Sequence, residues 1–167
     1  MPVILSGLMV KVLIAILISG ATFSAPMVID SAIGDSVGPG HPLYAVERLG
    51  ETQKSWFILD HASKATYYIQ LATERLDEMK NVTDNGEIVK SLCRDYNSTV
   101  EKALDEAEKA NRTDVYDFVL SMLQKHQQVL TEVKDKVPEQ AKGAIDNAMR
   151  ESSKSRDVIE NLKKSAP

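Results

Sequence analysis

The sequence predicts an all-α fold: an antiparallel up-and-down bundle of four long helices with a short N-terminal helix laid across it. Three observations carry that expectation. From about residue 43 to residue 164, apolar side chains recur at spacings of three and four, the period that stacks them on one helix face. Between the periodic stretches lie short clusters of Asn, Asp, Gly, Thr and Pro. Aromatic residues make up only 5% of the chain, which favours a core of aliphatic side chains on helices.

The chain changes character at Gly38-Pro39-Gly40-His41-Pro42-Leu43-Tyr44. Two prolines and two glycines in seven positions continue neither helix nor strand, so this is a rigid turn. Before it, residues 1–25 read as an export signal. Lys11 supplies the positive charge, Val12 to Ile18 is unbroken apolar sequence, and small residues come next at Ser19, Gly20, Ala21, Ser24 and Ala25. Cleavage fits after Ala21 or after Ser24. The alternative is an uncleaved anchor, because Val3 to Phe23 is long enough to span a bilayer. Either reading places the remainder outside the cytoplasm. Residues 26–42 form a spacer that ends in the turn.

The first helix begins near Leu43, just after Pro42, and carries a loose stripe of Leu43, Val46, Leu49, Trp56 and Phe57 weakened by Gly50. Leu59-Asp60 reads as a break and an N-cap. A second helix, His61 to Lys80, stacks Ala65, Tyr68, Ile69, Ala72, Leu76 and Met79. Lys64, Thr73, Glu74, Arg75, Asp77 and Glu78 fall on its wet side. Thr83-Asp84-Asn85-Gly86 is turn chemistry. A third helix, Glu87 to Ala110, uses Ile88, Leu92, Tyr96, Val100, Ala103 and Ala107, and Thr113 or Asp114 is placed to cap the fourth. That fourth helix, Val115 to Lys136, uses Val115, Val119, Met122, His126, Val129, Val133 and Val137, widened by Phe118, Leu123 and Leu130. Pro138 ends it. The last, Glu139 to Lys164, has small residues in mid-stripe (Ala144, Ala148, Ser152, Ser155), which allow another helix to approach closely. Short connections between long helices imply antiparallel neighbours.

Pro39-Gly40-His41-Pro42-Leu43-Tyr44 with Glu47, and Ala72-Thr73-Glu74-Arg75-Leu76-Asp77-Glu78, resemble an exported bacterial and archaeal family whose domain has no assigned function. Its pattern is a Pro-Gly-x-x-Leu-Tyr motif and then a helix ending in Ala-x-x-Arg-Leu-x-Glu. Lys64-Ala65 stands where Arg-Ala is usual, and Ala45-Val46 replaces the common Pro and aliphatic pair. The resemblance covers about residues 37 to 79. It implies an extracytoplasmic helical domain, supplies no catalytic residue, and marks Pro39, Gly40, Pro42, Leu43, Tyr44 and Arg75 as a docking motif. The bland reading of that motif is a structural cap.

Composition excludes more than it assigns. The net charge is −4, and −5 once Lys11 leaves with the leader, which opposes general nucleic-acid binding and adsorption to anionic lipid. Cys93 is the only cysteine, so no intramolecular disulfide exists. Its thiol is either a small buried apolar group or an intermolecular bridge. His41, His61 and His126 lie far apart without a second histidine at metal-ligand spacing, and no Glu-x-x-His pair or haem-attachment motif occurs. No metal or cofactor is expected, and His126 reads as a core histidine. There is no phosphate loop and no nucleophile elbow, so the chain does not read as an enzyme.

Three sequons, at Asn81, Asn97 and Asn111, exceed the roughly one expected by chance and offer N-glycosylation sites. Asn81 and Asn111 also serve as plain helix terminators. The expected role is structural or protein-interacting at the cell envelope or surface, with a second copy or another envelope protein as partner. Membrane contact comes only through an uncleaved N-terminal segment. The alternative is a soluble extracytoplasmic binding module, chaperone- or sensor-like, with an apolar helical groove. Exposed apolar residues on the fourth or last helix would favour it.

Overall fold

A computed structural model describes residues 38, 39, 41 and 44–166, and among them the chain forms five α-helices and no strand. The leader over 1–25 and most of the spacer, with Gly40, Pro42 and Leu43 of the turn, lie outside the described residues. The described chain falls into two units, one with residues 41 and 44–54, the other with 38, 39 and 55–166.

Helix α1 is Tyr44–Phe57. It leaves the turn directly, with the Tyr44 amide donating to the His41 carbonyl at 3.0 Å. Arg48 and Glu51 pair one turn apart at 2.9 Å. The stripe expected on this helix is not continued at its end. Trp56 and Phe57 are exposed, as is Leu49. Leu49 and Trp56 lie two turns apart on one face, but the positions between them on that face, Thr52 and Gln53, are polar and exposed, so no apolar stripe leads to the end of the helix.

The long helices are α2 (His61–Asn81), α3 (Gly86–Ala110), α4 (Thr113–Lys134) and α5 (Glu139–Ser165). Asp60 caps α2, its carboxylate accepting from the Ser63 amide at 2.8 Å, and Asn85 caps α3 through the Ile88 amide at 3.2 Å. Asn111 closes α3 in the left-handed region at φ 47°, a conformation that Asn tolerates better than most residues. Neither Thr113 nor Asp114 caps α4. Arg112 holds that position with no side-chain cap bond, and both expected caps lie inside the first turn.

Each long helix buries one face. On α4 that face is Val115, Val119, Leu123, His126, Leu130 and Val133. The larger Leu123 and Leu130 turn fully inward, while Met122 and Val129, expected in the stripe, are only half-buried. On α2 the departure is larger. Arg75, expected on the wet side, is 1% exposed. Its guanidinium ion-pairs with Glu78 one turn on, which is what a buried charge requires.

Helix α2 packs most extensively on α3, and α5 packs on both α3 and α4, while α2 also meets α4. The two-residue link between α3 and α4 predicts close neighbours. Instead they share little packing, and the chain forms two hairpins side by side. Within each hairpin the helices are antiparallel: His61 at the start of α2 bonds Glu106 near the end of α3 at 2.6 Å, and Asp117 near the start of α4 pairs with Lys163 near the end of α5. Across hairpins the neighbours run parallel. Thr73 of α2 meets His126 of α4, and Gly86 of α3 faces Gln140 and Ala141 of α5.

The small residues of α5 are consumed inside this core. Ala141, Ala148 and Ser152 are fully buried. Enlarging one forces the parallel helices apart, so Ala148→Leu is expected to destabilise the fold by roughly 1–3 kcal/mol, read as a lower midpoint in urea unfolding.

Candidate functional site

The strongest polar feature of the core is a layer to which all four long helices contribute. His126 of α4 is 1% exposed. Its Nε2 lies 2.9 Å from the Thr73 hydroxyl of α2, and its Nδ1 lies 3.3 Å from the Tyr96 hydroxyl of α3, whose ring meets the imidazole edge-on at 5.6 Å. Thr73 also donates to the Ile69 carbonyl of its own helix at 3.0 Å. Ser152 of α5 lies beside the Tyr96 phenol, but its Oγ makes no hydrogen bond. One residue per helix thus meets near the middle of the core.

Burial dominates the electrostatics here. It holds His126 down at about 4, weakly opposed by the Asp77 carboxylate, so the ring is neutral through the physiological range. It also raises the Tyr96 phenol and pushes the Cys93 thiol up to about 12. Cys93 is buried, with its Sγ 3.9 Å from the Met79 sulfur. A thiol so far from ionisation is a poor nucleophile and a poor metal ligand. His126 faces two hydroxyls, and no group of three or more His, Cys, Asp or Glu among the described residues is placed to hold a metal ion. The hydrogen bonds of the layer tie α2, α3 and α4 to one register, with Ser152 of α5 beside them.

The residues marked in the sequence as a docking motif come only partly into view. Pro39 is half-buried, Tyr44 begins α1 and is half-buried, and Arg75 is sealed in the core with Glu78; Gly40, Pro42 and Leu43 lie outside the described residues. The sequons separate clearly. Asn81 and Asn111 are exposed at the ends of α2 and α3. Asn97 sits half-buried inside α3, and its carboxamide oxygen is buried without a hydrogen-bond partner.

A shallow groove of about 400 Å³ runs between the parallel starts of α2 and α4. Asp60, Ser63, Gln70, Arg112 and Asp114 line much of it, with Tyr67, Val115 and Phe118 as its apolar part. Sequence reasoning missed it, because it exists only where two helices that are not joined to each other run parallel. Arg112 is engaged across its mouth by Asp114 at 2.6 Å.

Residues 36–140 match a family described as Domain of unknown function (DUF5667). The chain belongs to this family. The match opens just before the Pro39 turn and stops within the first turn of α5, so it spans α1 to α4. No curated protein and no solved structure matches the chain. No described helix is long and apolar enough to cross a membrane.

The His126 layer makes a pH prediction with a definite sign. The imidazole titrates near 6.5 when unfolded and about 4 when folded, so the unfolded chain takes up the proton first. This contribution to stability is intact above pH 6.5, declines as pH falls towards 4 and then levels off, a loss of about 3 kcal/mol. Unfolding midpoints measured across that window should show the decline, and His126→Gln should remove that part of it.

Proposed function

We propose that this protein is a non-enzymatic, exported helical protein of the cell envelope or surface, with a structural or protein-interaction role and a second copy or another envelope protein as partner. One observation carries the choice over a groove-type binding module. Among the described residues, α4 exposes no large apolar side chain and α5 exposes only Val158. The faces that would cradle an apolar peptide are spent on the protein's own core. The groove beside α2 has a mixed lining, with Asp60, Arg112 and Asp114 among its walls, where such sites are typically lined mostly by apolar side chains.

Export is supported by the leader-like sequence over residues 1–25, and the two exposed sequons are compatible with it. In this reading the long helices form an up-and-down bundle and Pro42 fixes the backbone ahead of α1. Leu43 and Tyr44 then act as a docking plug, with α1 laid across the bundle.

Two measurements test the proposal. Denaturing and native mass spectrometry of the protein taken from its own host's envelope fixes where the mature chain starts, and should show an oligomer that carries sugar on the exposed Asn81 and Asn111. An unmodified monomer from the soluble fraction favours the binding module instead. Separately, Tyr44→Ala should lower the thermal midpoint, by an amount equivalent to about 1–3 kcal/mol, or shift the assembly state. If neither moves, the plug is wrong.

A further inference from the structure

Trp56-Phe57-Ile58-Leu59 is where large apolar side chains stand exposed and adjacent among the described residues: Trp56 is 70% exposed, Phe57 52% and Leu59 89%. The stretch is a turn, since α1 ends at Phe57 and α2 begins at His61. Its shape is fixed from both sides. Ser55 is buried, so the end of α1 presents Trp56 and Phe57 outward. After the turn, the Asp60 carboxylate accepts from both the amide and the hydroxyl of Ser63, which locks the first turn of α2 and leaves Leu59 just outside it. A residue in that place commonly packs on an apolar side chain five positions on, but the position is Lys64, and Leu59 stays bare.

We propose that this turn is a lipid-seating wedge that inserts Trp56, Phe57 and Leu59 into the interfacial zone of a zwitterionic bilayer. Size argues against a protein partner here. The exposed area of the three side chains is on the order of 400 Å², about half of the roughly 800 Å² that each partner of a stable complex buries. A wedge in a bilayer needs no such area, because lipid closes around each side chain, and tryptophan favours the boundary between headgroups and acyl chains. Position argues for a membrane. The apolar stretch Val3 to Phe23 lies only about 20 residues ahead of α1, so a chain held by that stretch keeps the turn within reach of the same surface. Charge selects the lipid class. Lys54, Asp60 and Lys64 flank the turn without a basic cluster, so anionic headgroups are not required. Contact of this kind is separate from the protein partner proposed above and stands or falls on its own.

Trp56 is the chain's only tryptophan, so intrinsic fluorescence reports this turn alone. The full chain is mixed with phosphatidylcholine vesicles, with and without brominated acyl chains. A blue shift on adding vesicles and loss of emission with brominated lipid are expected. Leu59→Asp, which keeps the reporter and alters a side chain that is 89% exposed, should abolish both effects while far-ultraviolet circular dichroism stays unchanged. Membrane association through the N-terminal stretch alone would leave Trp56 water-like and unquenched, and would overturn the proposal. A blue shift that grows with protein concentration in the absence of lipid would also overturn it, in favour of a contact between copies.

Discussion

Each long helix carries an apolar face, and nothing covalent holds these faces together, since the single cysteine is buried as a thiol. Burial is therefore the constraint on which the structure rests. At roughly 25 cal/mol per Å² of apolar area removed from water, only mutual packing of all the faces can offset the entropy of ordering the chain. Helix α5 is central to that closure. It packs on α3 and α4 together, and its small residues let it approach them. The segment that defines the family ends where α5 begins, so the helix that completes this core lies almost wholly outside it.

The polar layer within the core is best understood against the same constraint. An imidazole, a phenol and two hydroxyls are costly among aliphatic side chains unless they meet one another. The neutral ring of His126 meets Thr73 on one side and Tyr96 on the other, which aligns three helices at one level. A buried network of this sort rewards one register over its neighbours, whereas an all-aliphatic core of Leu and Val tolerates sliding. Ser152 of α5 lies beside the Tyr96 phenol, and α5 is held chiefly by its packing on α3 and α4.

Much of this architecture is legible in the residues alone, because helix period, caps and turns are local. The Asp60 cap, the αL residue Asn111 and the buried His126 all arise from chemistry within a few positions of themselves. What escapes is non-local. Arg75 reads as wet because it is charged, and only the structure shows Glu78 neutralising it inside the core. Trp56 and Phe57 read as the end of a loose stripe, yet Thr52 and Gln53 interrupt its face and the two aromatic rings stand exposed. The two-residue link at Asn111-Arg112 says where the chain turns but not beside which helix it settles. The groove between α2 and α4 depends on that pairing and is invisible in the sequence for the same reason.

Parallel pairing has an electrostatic consequence. Aligned peptide dipoles give each helix a positive start and a negative end, and parallel neighbours set like ends side by side, where they repel. The chain meets that repulsion with charge. Asp60 caps α2, and acidic residues open the others: Glu87 on α3, Asp114 on α4 and Glu139 on α5. Lysines occupy the last turns at Lys80, Lys109, Lys134, Lys163 and Lys164. The surface charges at the two ends of the core are thus a complement to its topology: they answer the macrodipoles that an alternating arrangement would have cancelled by itself.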